Sequence, residues 1–166
     1  MVATPKASVA QEISLSRLQP IQANFKRINS IKAWAAIEKK ELYESTEGGE
    51  ASFYYSAGHK LEKITARRFG ESGQAVDEYY FAASRLSFVL ERLFQYNRPL
   101  FYDAKAAREN GDSETFNLAK SRVSDVRSYF ENGKLIYQLR PPTDDQPSPA
   151  TEQQRLLEYC IHLRQL

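Results

Sequence analysis

Tyr129-Phe130-Glu131-Asn132-Gly133-Lys134-Leu135 is the stretch on which the fold turns. Asn-Gly between two aromatic, alternating runs signals a tight hairpin, because a type I′ turn needs φ > 0 at both central residues. It predicts paired strands over 122–130 and 134–140. Upstream, segments 50–56, 60–69, 74–81 and 86–94 are short and rich in Tyr, Phe, Val and Ile. They are separated by Ala57-Gly58-His59, Gly70-Glu71-Ser72-Gly73 and Ala82-Ala83-Ser84-Arg85. In the last of them Leu86, Phe88 and Leu90 share one face, the alternation of a half-buried strand. Links this short join only antiparallel neighbours, since parallel strands need a long crossover. The expectation is an antiparallel meander of about six or seven strands. A long connection over 95–121 interrupts it, with one helical turn near 104–109 and a break at Asn110-Gly111.

Helices flank the strand region. Leu18, Ile21, Phe25 and Ile28 fall in steps of three and four, which keeps one helical face apolar. This predicts a helix over about 16–29, capped by Ser16, with Pro20 in its first turn and an end at Asn29-Ser30. Lys26, Arg27 and Lys32 fall on its solvated face. Residues 1–12 lack periodicity and read as a flexible tail. At the other end, 141–148 form a Pro-rich linker, and Ser148-Pro149 reads as an N-cap followed by Pro at the first helical position. Leu156, Cys160 and Leu163, flanked by Leu157 and Ile161, then make an apolar stripe for packing on the sheet. Residues 13–166 are therefore expected to form one α+β domain.

Composition narrows the chemistry. The 166 residues carry 23 Lys+Arg against 21 Asp+Glu, a net charge of +2, too small to argue for nucleic acid. No stretch approaches the roughly 18 apolar residues of a membrane span, so no integral membrane segment is expected. One Cys excludes an intrachain disulfide and leaves the redox compartment open. The N-terminus fits a cytoplasmic protein or a mature exported one whose signal was replaced by a start Met.

Three hairpins share a pattern. Tyr54-Tyr55 leads to Lys60-Leu61, Tyr80-Phe81 to Arg85-Leu86, and Tyr129-Phe130 to Lys134-Leu135. An aromatic before each turn can pack across the pair against the Leu after it and fix register. The Tyr129–Leu135 segment resembles the YY-x-NG-K-L hairpins of bacterial MORN-like repeat proteins, including antitoxin-like ones. Glu47-Gly48-Gly49-Glu50, Leu61-Glu62-Lys63-Ile64, Phe69-Gly70-Glu71, Glu78-Tyr79-Tyr80 and Tyr96-Asn97-Arg98-Pro99 extend the resemblance to a family of small bacterial proteins over about residues 28–140. Its members usually follow a signal peptide, so the resemblance implies a periplasmic or secreted location. It carries no activity with it. The turn Ala82-Ala83-Ser84 departs from the pattern, because Asn-Gly is missing there.

Candidate sites are few. Glu41, Glu44, Glu47 and Glu50, with Glu71 and Glu78 nearby in the sheet, could bind Ca²⁺ or act as acid and base, but their spacing matches no EF-hand loop. A solvated loop rim is the favoured reading of them. Cys160 and His162 are two residues apart on a helix and do not face each other, so Cys160 reads as a small buried hydrophobe. Two His, at 59 and 162, make no three-histidine zinc site, and no phosphate loop or dinucleotide fingerprint is present. No metal and no cofactor is called for. On the fourth segment, Tyr79 and Phe81 project away from Glu78 and Tyr80. One set could form an exposed aromatic surface for a protein, peptide or glycan, or both sets could be buried. The candidate ligand-binding residues are thus Tyr79, Phe81, Glu71 and Glu78. The favoured function is non-enzymatic binding; the alternatives are a toxin-neutralising module and a carboxylate-based enzyme or Ca²⁺ protein. Oligomeric state and sheet edges are not legible at this level.

Overall fold

The computed structural model describes residues 13–166, and the tail expected over 1–12 lies outside them. Helix α1 (Leu15–Asn29) precedes strands β1 (Ala36–Leu42), β2 (Gly49–Ser56), β3 (Lys60–Phe69), β4 (Gly73–Ala82) and β5 (Arg85–Gln95). A long connection carrying the short helix α2 (Ala104–Glu109) and a 3₁₀ turn at Leu118–Lys120 leads to β6 (Arg122–Glu131), β7 (Lys134–Leu139) and helix α3 (Pro149–Arg164). The seven strands form one sheet in the order β1-β2-β3-β4-β5-β6-β7, every neighbour antiparallel. This is the meander expected, in an α+β fold. Strand β1 has no counterpart among the predicted segments. Its Ala36-Ile37-Glu38-Lys39-Lys40-Glu41-Leu42 lacks apolar alternation because it is an edge strand, exposed along most of its length. Charges on an edge discourage pairing with other chains, so the usual strand signal is absent where the strand is outermost.

The repeat has a structural counterpart in the strand register. Tyr55, Phe81 and Phe130 are the cross-strand partners of Leu61, Leu86 and Leu135. In each hairpin the register shifts between the two aromatics, at Tyr54/Tyr55, Tyr80/Phe81 and Tyr129/Phe130. The extra residue is Glu62, Ser87 or Ile136 on the returning strand. Such a bulge bends and twists the strand pair locally. The aromatics on either side of it point to opposite faces, so each hairpin supplies a ring to both sides of the sheet.

A helix covers part of each face. On one side, α1 crosses the strands near the hairpin ends. Arg17 pairs with Glu131 of β6 at 2.8 Å, Asn24 Nδ2 donates to the Phe81 carbonyl of β4 at 2.9 Å, and Arg27 reaches Glu62 of β3. Beneath it Leu18, Ile21 and Ile28 pack on Tyr80, Phe88, Leu90 and Tyr129. The helix begins at Leu15 with Ser14, not Ser16, in the cap position, so Pro20 is the sixth helical residue and lies beyond the first turn. The carbonyl it leaves without a donor, that of Ser16, sits on the solvated start of the helix. Arg27 also departs from expectation, since its guanidinium is turned toward the sheet.

On the opposite face α3 runs from β7 to β1. Gln153 Oε1 accepts from the Leu135 amide at 3.0 Å, and Lys40 Nζ donates to the Leu166 carbonyl at 3.2 Å. Ser148 caps α3 by accepting from the Thr151 amide at 3.1 Å, with Pro149 at the start of the helix. Leu156, Cys160 and Leu163 are buried against Phe53, Ile64, Tyr79, Phe81, Val89 and Phe130, while Ile161 faces solvent. Burying each Leu of this stripe is worth about 1.5–3 kcal/mol relative to leaving it exposed.

Candidate functional site

The four candidate residues are not brought together. Tyr79 and Phe81 lie under α3, fully or almost fully buried, and Arg164 stacks over the Phe81 ring at 5.4 Å. Neither ring is offered to solvent, because the apolar stripe of α3 occupies the surface they would have formed. Glu78 faces the other way, accepting from the Tyr80 hydroxyl at 2.5 Å and standing 3.8 Å from Lys63. Glu71 is exposed in the β3–β4 turn at the far end of the sheet, where its carbonyl accepts from the Leu100 amide. The other acids also disperse. Glu41 and Glu50 are cross-strand partners on β1 and β2, with Glu50 paired to Lys39, while Glu44 turns to α3. Among the described residues no three His, Cys, Asp or Glu side chains are arranged to hold a metal ion.

Polar groups do converge beneath α3, in two ion-pair clusters. In the first, Arg68 bonds Asp77 at 2.6 Å and the Tyr159 hydroxyl at 2.8 Å. That hydroxyl donates to Glu44 at 2.7 Å, and Glu44 stands 3.0 Å from His162. Burial pushes the Asp77 carboxyl up to about 6 against the pull of Arg68, with Glu91 adding repulsion. The depth of the carboxylate decides that direction, since Asp77 is 4% exposed whereas Arg68 reaches solvent. In the second cluster Arg155 forks onto Glu91 (2.8 and 3.0 Å) and also contacts Glu152, which Arg140 and Gln138 share. Burial opposes the charge on Glu152, yet hydrogen bonds from Arg155 and Gln138 hold it below the usual carboxylate range. These acids are occupied by arginines that tie the helix to the sheet. Cys160 lies in the same layer, its thiol pushed up to about 11 by burial, as suits a packing residue.

The α1 side offers a different surface. Arg27 grips Glu62 at 2.6 and 3.2 Å, and Ser56 adds a third hydrogen bond at 2.8 Å. These hold the buried Glu62 carboxyl below its ordinary value, the Arg27 bonds outweighing burial. Beside this anchor, α1 and the sheet leave a cleft of about 250 Å³ lined by Ile21, Gln22, Phe25, Lys26, Phe88, Arg127 and Tyr129. Its rings form a continuous run, Phe25 to Phe88 at 5.1 Å edge-on and Phe88 to Tyr129 tilted at 4.9 Å. Arg127 sits between Leu90 and Leu139 as its cross-strand neighbours. Neither Arg127 nor Lys26 has a carboxylate partner among the described residues. A wider hollow at the far end is lined by Ser72, Gln95, Tyr96, Asn97, Arg98, Lys120 and Arg122, and two of its three cations are paired. There Arg98 is held by Asp112 at 2.6 Å and Lys120 by Glu114 at 2.9 Å.

Sequence reasoning identified Phe25 only as part of an apolar stripe and Phe88 only as part of an alternating strand. It missed Lys26 as a cleft residue and did not single out Arg127. The one available signal was an arginine two residues before the Tyr129 hairpin, on the same strand face as that ring. The arrangement defines a seven-stranded meander with a helix on each face and a ligand-sized cleft under the first helix. No protein-family model, curated protein or solved structure matches the chain.

Proposed function

We propose that this chain is a non-enzymatic binding protein that takes a small molecule in the cleft between α1 and strands β5 and β6. The observation that carries this reading is the make-up of the cleft wall: three aromatic rings, an isoleucine, one amide and two cations without carboxylate partners among the described residues. Ligand pockets are largely apolar with a few polar groups that set orientation, and this wall has that composition. A volume of about 250 Å³ lies just under the roughly 300–1,000 Å³ of drug-sized sites, which points to a small ligand. The lining holds no carboxylate, histidine or cysteine, so its groups suit gripping rather than general acid–base or nucleophilic work. The displaced carboxyls Asp77, Glu152 and Glu62 all lie inside ion pairs that hold the fold together and none lines the cleft.

Ligand-observed NMR with fragments of mixed charge tests the proposal. Gln22→Trp, at an exposed position on α1, fills the cleft without entering the core. Fragments that bind the wild type should lose their signal with this variant while its unfolding transition stays in place. Fragments that bind both proteins equally, or no binding to the wild type at all, would remove the cleft from consideration.

A further inference from the structure

We infer that the ligand of the α1 cleft is a small carboxylate with an apolar or aromatic body, its anionic head held by Arg127 and Lys26 and its body lying on Phe25, Phe88 and Tyr129. This rests on the reading of the cleft as a small-molecule site and adds the chemistry of what enters it.

Charge is the first argument. Several cations on this side of the sheet are matched: Arg17 by Glu131, Arg27 by Glu62, Lys63 by Glu78 at 3.8 Å, Arg92 by Asp125 at 3.7 Å. Arg127, which lines the cleft, is not among them. Its cross-strand neighbours on both sides are leucines, and Asp125, two residues along the same face, stands 3.7 Å from Arg92 and makes no ion pair with Arg127. Lys26 approaches the same cleft from the helix, also without a carboxylate among the described residues. Two cations on one small concavity with no counter-ion among those residues create a local field that favours an anion. An arginine is the better half of such a pair, because its planar fork matches a carboxylate with two parallel hydrogen bonds.

The second argument is the floor. The half-buried Phe25 ring and the margins of the buried Phe88 and Tyr129 rings line the same space, and Ile21 closes the wall beside them. An inorganic anion would leave this surface wet, whereas an organic acid covers it while placing its head between the cations. The small volume excludes long acyl chains and polymers and favours a compact body. Gln22, the only amide of the lining, can donate to a carboxylate oxygen or accept from a hydroxyl on the body.

Matched probes test this: phenylacetate and hexanoate, their neutral amides, and the corresponding amines, titrated calorimetrically into the full chain. The acids are expected to bind about tenfold or more tightly than their amides, and the amines not to bind, since a hydrogen bond to a charged group is worth at least that factor. Arg127→Gln should bring acid and amide affinities together, and Phe25→Ala should weaken both equally. Amides binding as tightly as acids, or amines binding best, would overturn the carboxylate assignment while leaving the cleft as a site. Inorganic phosphate binding as well as the acids would show that the rings contribute nothing and would overturn it as well. If no probe and no fragment of any charge binds, it is the small-molecule reading that fails.

Discussion

The two faces of the sheet receive the same rings and use them differently. Each hairpin sends one aromatic to α3 (Tyr55, Phe81, Phe130) and one to the α1 side (Tyr54, Tyr80, Tyr129). Under α3 Arg68, Arg140 and Arg155 each have an acid, Arg164 lies over the Phe81 ring, and Leu156 and Leu163 are fully buried. Under α1 Tyr80, Phe88 and Tyr129 are buried as well, but Phe25 is only half-covered, and Lys26 and Arg127 stand at the margin without acids among the described residues. A protein interior is normally packed to crystal-like density and its charges are paired. The α3 face follows both rules and reads as structure; the α1 face relaxes both at one place and reads as a site.

The largest effect that can break this contrast is a core truncation. Leu156→Ala is expected to cost about 2–5 kcal/mol in chemical denaturation, the range for emptying a buried leucine site. Phe25→Ala, at a half-buried ring, should cost clearly less while weakening ligand binding. If the two truncations cost the same and binding is unchanged by Phe25→Ala, the faces are equivalent and the contrast is lost.

Next in size is the pH dependence of the α3 face. Asp77 is raised from its ordinary 3.8 to about 6, so it holds its proton more tightly folded than unfolded. Its stabilising contribution is fully present below the unfolded-state value and is lost as pH rises through about 6. The displacement corresponds to at most about 3 kcal/mol. Asp77→Asn should therefore gain stability relative to the wild type between pH 4 and 7, read as a converging or crossing pair of melting curves. A constant difference across that range would show that Arg68 already neutralises the burial cost. Glu62 and Glu152, held below the usual range, run in the opposite sense: their contribution is present above the unfolded-state carboxylate value and is lost as pH falls through their folded values.

Two adjacent tyrosines sharpen the same contrast at smaller scale. Tyr79, on the α3 face, has a buried hydroxyl with no hydrogen-bond partner. Tyr80, on the α1 face, donates to Glu78 and is within 3.1 Å of Asn29 Oδ1. Tyr79→Phe should raise stability by about 1 kcal/mol by removing an unsatisfied polar atom, and Tyr80→Phe should lower it by about 1–2 kcal/mol. Opposite signs from the same chemical change at neighbouring positions would be hard to obtain unless the faces differ as described. Loss of stability in both variants would instead indicate that water reaches the Tyr79 hydroxyl.

Much of this architecture was legible because it is local. Period-two alternation, short turns and the Asn132-Gly133 dipeptide specify hairpins without reference to the rest of the chain, and Ser148-Pro149 with its stripe specifies α3. Strand β1 escaped because its position at the edge removes the alternation that marks a strand. The parity of Tyr79 against Tyr80 was readable, but whether a ring is exposed depends on which helix lies over it, and both faces carry one. The cleft is less local still. It exists only because α1 crosses β5 and β6, which places Phe25 and Lys26 beside Phe88 and Arg127 from strands far along the chain.

The smallest effect concerns two turns that share a backbone but not a sequence. Asn132 and Gly133 have φ of 51° and 78°, and Ala83 and Ser84 have φ of 48° and 65°. The second turn therefore adopts the left-handed region twice with side chains that disfavour it, at a cost of about 1–2 kcal/mol per residue. Both residues are exposed, so nothing about packing selects them. Ser84→Gly should stabilise the protein by about 1 kcal/mol. A Cβ added at Gly133 meets no atom within 4 Å, so Gly133→Ala tests the backbone term alone and should destabilise by a similar amount. The reciprocal pair would establish that the missing Asn-Gly at the middle hairpin is a local strain tolerated by a register already fixed by Phe81 and Leu86. If Ser84→Gly is neutral while Gly133→Ala is costly, the strain at the middle turn is relieved by neighbouring structure, and the hairpins are alike in register but not in energetics.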